Sequence, residues 1–166
     1  MVMISKNQLM ASVLRDSFSE FVKRMWPEVI PETMVWNWHM DVLCDELQTL
    51  AERVFNNQPR EYDLIINIPP GTSKSTICST MFPAWVWTRM PGAQSICGSY
   101  AHSLSMNLSR LCRKVIRSEL YQELFPEVAL SKDQDAKGHF ANEAGGMRYC
   151  AGIGGSVTGY HGHFLI

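Results

Sequence analysis

The chain has 166 residues, enough for one domain with a buried core. Its 46% hydrophobic and 19% charged residues give the balance of a folded protein and exclude a disordered one. A net charge of −1 gives no support for a dedicated nucleic-acid-binding module, whose phosphate contacts call for a basic surface.

The first sixty residues read as helical. A short amphipathic run over 17–26 is predicted to stop at Pro27, and a linker with Pro31 follows. Asn37 offers an N-cap for a longer helix in which Met40, Leu43, Cys44, Leu47, Leu50, Ala51 and Val54 recur at helical spacing. Residues 62–68 are apolar and partly β-branched, which predicts a buried strand. Pro69-Pro70-Gly71-Thr72-Ser73 reads as a loop, and a helix is expected from Lys74, with Pro83 kinking it. After a turn at Pro91-Gly92, residues 94–100 predict a second buried strand. A third helix should carry Leu104, Leu108, Leu111, Cys112, Val115 and Ile116 on one face. The polar stretch 131–138 reads as a surface loop, with short strands expected around 139–142 and 147–151. Residues 152–162 are glycine-rich, either a mobile loop or a tight strand connection, and 163–166 open another strand. Strand, loop, helix, strand, helix is the order of an α/β fold with a parallel sheet and crossover helices.

The five cysteines, Cys44, Cys78, Cys97, Cys112 and Cys150, lack C-x-x-C spacing and read as reduced core residues. His161 and His163 flank one glycine without an acidic or cysteine partner nearby, so no metal is expected there. No apolar run reaches the roughly 20 residues of a membrane span, and the N-terminus lacks a signal-peptide pattern. A soluble, intracellular protein is expected.

The chemistry concentrates at 65–76. A strand, a tight loop and a helix start present backbone N–H groups and a helix dipole to an anion. Lys74 is placed to neutralise β/γ-phosphate charge and Ser75 to ligate Mg²⁺. The strict G-x-x-x-x-G-K-[ST] pattern wants glycines where this chain has Ile68 and Ser73, so the residues alone also allow an ordinary turn with a solvated lysine. There is no G-x-S-x-G elbow to make Ser73, Ser75 or Ser79 a hydrolase nucleophile.

Pro69-Pro70-Gly71-Thr72-Ser73-Lys74-Ser75 resembles the variant Walker A loop of phage terminase large subunits. Ser17-Phe18 through Trp26-Pro27, Asn37-Trp38-His39, Phe82-Pro83-Ala84-Trp85, Ser99-Tyr100-Ala101 with Ser109-Arg110 and Arg113, and Gly154 through Gly159 with His163-Phe164-Leu165-Ile166 resemble further segments of that family in the same order. The resemblance implies a P-loop NTPase core over 61–166 behind a helical extension over 1–60. It implies ATP with Mg²⁺ as ligands and double-stranded DNA, a portal protein, a small terminase subunit and a ring of identical copies as partners. The location implied is the host cytoplasm, transiently at the procapsid portal.

Residue by residue, the resemblance implies that the backbone of Pro70, Gly71, Thr72 and Ser73 wraps the phosphates, that Lys74 contacts them, that Ser75 holds Mg²⁺ and that Thr76 reaches the α-phosphate. Trp38 and His39 lie near adenine, or else simply pack. Arg110 and Arg113 match a Ser-Arg-x-x-Arg pattern and, with Arg117, form either a solvated face or a source of a trans arginine finger. The loop carries no arginine of its own. The acidic Walker B residues would follow Ile166, so this stretch is expected to bind nucleotide without significant turnover, and the family's nuclease domain lies outside it. A helicase-like P-loop ATPase and a non-catalytic assembly module with a vestigial loop are the rival expectations.

Overall fold

The computed structural model describes residues 5–136, 138–152 and 159–166. Helix α1 (Lys6–Asp16) begins at Ser5, whose hydroxyl accepts the Gln8 N–H while the Gln8 side chain accepts the Ser5 N–H. That reciprocal pair satisfies two N-terminal donors. Helix α2 (Phe18–Val29) is capped by Ser17 and continues two residues past Pro27. The expected stop at Pro27 is therefore corrected. Proline removes a single i−4 bond, and burial of Phe21, Met25, Trp26 and Val29 along one stripe outweighs it. Helix α3 (Trp38–Phe55) starts at Asn37 as expected and buries Met40, Leu43, Cys44, Leu47 and Ala51.

The expected strand over 62–68 does not form: these residues have no ladder among the described residues. Leu64, Ile66 and Ile68 are half-buried and Ile65 is 89% exposed. Side chains tie this stretch to α3 instead. Tyr62 Oη donates to Glu46 at 3.2 Å, and Arg53 holds Pro59 O and Glu61.

From Lys74 the chain is helical to Arg89, as α4 (Lys74–Thr76), a π-helical segment (Ile77–Met81) and α5 (Phe82–Arg89). Pro83 was expected to kink this helix; the irregularity is the π segment just before it, closed by Phe82 N–H to Ile77 O. Seven consecutive α5 residues, Phe82 to Thr88, are buried, and the rings of Phe18 and Trp85 lie 5.0 Å apart. The apolar core thus runs continuously from α1 and α2 into the helix that follows the loop.

Strand β1 (Gln94–Ser99) leads to α6 (His102–Arg117) and α7 (Glu119–Leu124), then β2 (Leu130–Asp135), β3 (His139–Asn142), β4 (Met147–Gly152) and β5 (Phe164–Leu165). The sheet order is β2-β3-β4-β1-β5, with β1 parallel to β4 and β5 while β2-β3-β4 is antiparallel. The fold is α/β with a mixed sheet, which corrects the expected all-parallel one. Residues 131–135 of the expected polar loop belong instead to the outermost strand β2, one edge of which faces away from the ladder, where a polar sequence is suited. Residues 153–158 of the expected glycine-rich connection lie outside the described residues.

The α6 face is also rotated from the expected one. Ser105, Ser109, Cys112, Val115 and Ile116 are buried, while Leu104 is 48% exposed. The Thr80 hydroxyl donates to Leu108 O at 3.2 Å, so α6 meets the π segment through small polar residues.

Candidate functional site

The loop between residue 68 and the helix is closed by its own side chains. Thr72 Oγ1 donates to Pro69 O at 2.7 Å, and two successive prolines limit the backbone ahead of it. Gly71 (φ 80°) and Ser73 (φ 64°) both take left-handed conformations. Ser73 occupies one of the positions where the strict pattern wants glycine, and its φ gives the reason: only glycine adopts that geometry without strain. The first main-chain bond of the helical run is Ile77 N–H to Ser73 O (2.9 Å), and no side chain among the described residues caps α4. The preceding amides therefore stand at a helix head, where such groups bear partial positive charge. Pro70 has no N–H and contributes shape, not a donor, to this arc.

Lys74 is half-buried and its Nζ donates to Ile68 O at 3.1 Å, across the mouth of the loop. Ser75 is exposed and Thr76 half-buried. One turn on, burial pushes the Cys78 thiol up to about 11, against the opposing effect of the Lys74 ammonium. A thiol so placed is inert at neutral pH.

Two residues from distant sequence reach the loop. His39 Nε2 lies 3.4 Å from Thr72 O, a contact that needs the Nε2–H tautomer because a carbonyl only accepts. Trp38 stands edge-on to His39 with ring centroids 6.2 Å apart and is 72% exposed. The α3 start is thus beside the loop, with an indole face accessible to solvent. On α6, Arg110 is exposed and Arg113 half-buried. His163 has a structural task, its Nδ1 accepting the Gln94 N–H at 3.0 Å. A groove of about 520 Å³ lined by Lys6, Leu9, Met10, Val13, Glu20 and Arg24 runs between α1 and α2, and none of its lining residues belongs to the loop.

Sequence reasoning passed over Arg148. It is fully buried on β4, its Nη1 donating to Cys150 Sγ (2.9 Å) and its Nη2 to Ser79 O (2.8 Å), while its Nε has no partner among the described residues. Its signal in the sequence is a cation at an inward position of the otherwise apolar strand Met147-Arg148-Tyr149-Cys150-Ala151.

No helix among the described residues is long and apolar enough to cross a membrane. The sequence matches no protein-family model, no curated protein and no solved structure.

Proposed function

We propose that residues 70–76 bind the phosphates of ATP, and that the chain is the nucleotide-binding part of a terminase-type DNA-packaging motor with a P-loop NTPase core. The observation that carries the reading is the compact turn with left-handed Gly71 and Ser73, opening on a helix head with Lys74 at its mouth. The N–H groups of a helix head, its dipole and one ammonium make a donor set that fits a polyphosphate. The exposed Ser75 hydroxyl fits the Mg²⁺ that accompanies it, which supplies charge neutralisation across the phosphates when bound. Trp38 offers an apolar face beside the loop on which a purine stacks, with His39 fixing the loop carbonyl.

In this reading the amides of Gly71 to Thr76 orient the phosphates, Lys74 holds the terminal ones, and Arg110 or Arg113 serves a neighbouring copy in a ring. Double-stranded DNA, a portal protein and a small terminase subunit are the partners that the sequence resemblance supplies, at the procapsid in the host cytoplasm. A second reading, an assembly module with a vestigial loop, draws support from the lack of a ladder at 62–68 among the described residues.

Calorimetric titration with Mg·ATP tests the choice. Lys74→Ala should weaken binding by about tenfold or more, the loss of one charge-assisted hydrogen bond. Equal affinity in both proteins would sink the phosphate assignment.

A further inference from the structure

Pro83 has no N–H, so Ser79 O, four residues earlier, has no donor of the α-helical i→i−4 kind. Ser79 is half-buried, and an oxygen there that finds no other partner costs free energy. Arg148 supplies it from the sheet: Nη2 donates to Ser79 O at 2.8 Å. The guanidinium is fully buried, and no carboxylate among the described residues pairs with it; its neighbours are the sulfurs of Cys97, Cys112 and Cys150. An arginine buried on such terms is expensive to keep, which points to a role beyond stability.

The position of its contact indicates that role. Ser79 lies inside the π segment (Ile77–Met81), between the loop and α5. A π turn adds one residue to the helix, and removing it would turn everything on one side by about 100° and shift it by about 1.5 Å. Helix α5 cannot absorb that change, because Phe82 to Thr88 are all buried and Trp85 and Trp87 are hydrogen-bonded to Leu14 O and Ala93 O. The displacement would fall on Lys74 and Ser75.

We infer that Arg148 is a positioning residue for the loop: by holding the carbonyl that Pro83 leaves free, it fixes the π register and thereby where Lys74 and Ser75 project. It couples β4 to the loop through one hydrogen bond. The inference rests on the nucleotide reading for its consequence, but not for the register itself.

The test uses the whole chain, with Mg·ATP calorimetry, thermal melting and amide hydrogen exchange. In Arg148→Met, exchange at 74–82 should accelerate and Mg·ATP affinity should fall about tenfold, as for one lost bond to a charged group. Pro83→Ala is the decisive variant. It returns an N–H to Ser79 O, so it should melt at the same temperature or higher, yet bind Mg·ATP about tenfold more weakly because the α register replaces the π turn. Affinity that simply follows melting temperature, with Pro83→Ala at the original value or tighter, would overturn the inference. If the unaltered chain takes up no Mg·ATP, the nucleotide reading fails by itself and exchange decides the register. Unchanged rates at 74–82 in Arg148→Met, or in Arg148→Lys should the first variant not fold, overturn it; acceleration confined to 74–82 sustains it.

Discussion

Ser73 carries the loop through φ 64° and ψ 6°, a left-handed conformation that costs a residue with a Cβ about 1–2 kcal/mol. Glycine escapes that strain but loses about 0.5–1 kcal/mol of chain entropy on folding, so Ser73→Gly should raise stability by about 0.5 kcal/mol. A β-branched side chain tolerates the conformation least, and Ser73→Val should cost about 2 kcal/mol. Urea denaturation of the three proteins measures both. If the valine variant were as stable as the original, Ser73 would not be left-handed in solution. Strain held at the residue before Lys74 is of the kind that clusters at binding loops.

At the scale of elements, α6 shows how a helix packs through hydroxyls. Ser105 Oγ donates to Cys97 O at 3.1 Å, whereas Ser109 Oγ is buried with no partner among the described residues. The two serines should respond in opposite directions to the same substitution. Ser105→Ala strands a carbonyl and should cost about 1 kcal/mol, while Ser109→Ala removes an unpaired polar atom and should gain about 0.5–1 kcal/mol. Chemical denaturation of each single variant checks the signs. Loss of stability in both would mean that Ser109 has a partner in solution. The two hydroxyls also explain why the apolar periodicity of this helix misled: Leu104 fits the stripe in sequence, but contact with β1 and the π segment demands small side chains, so the buried face is turned towards Ser105 and Ser109.

For the whole molecule, the buried thiols set how stability responds to alkali. Burial raises Cys97 from an ordinary 9.0 to about 11 and Cys112 to about 12, with Arg148 opposing both. A raised value means that the unfolded state releases its proton first, so stability is full below about pH 9 and falls as pH rises from there towards 11 or 12. Each thiol should remove up to about 1.4 kcal/mol per pH unit in that window. Denaturation at pH 8 and pH 10 should differ accordingly, and Cys112→Ala should reduce the difference by that thiol's share. A stability curve level through pH 10 would show that these thiols are not held neutral in the folded chain.

What could be read from the sequence was what local chemistry dictates. Asn37 caps α3, the spacing from Met40 to Ala51 lays down its buried stripe, and residues 94–99 form a strand. The Pro-Pro-Gly turn before Lys74 likewise announced a tight loop at a helix head. Partner choice was not legible. Residues 62–68 have the composition of a strand, yet a strand exists only where another offers a ladder, and α3 holds this stretch instead. Residues 131–135 have the composition of a loop, yet β3 recruits them as an edge. Pro83 marked an irregular helix, but only the fold could bring Arg148 from 69 residues away to the carbonyl that proline leaves free. Capping, periodicity and turn geometry act between neighbours in the chain and are written there; ladders, buried charges and helix register depend on groups far apart in sequence, and only tertiary packing decides them.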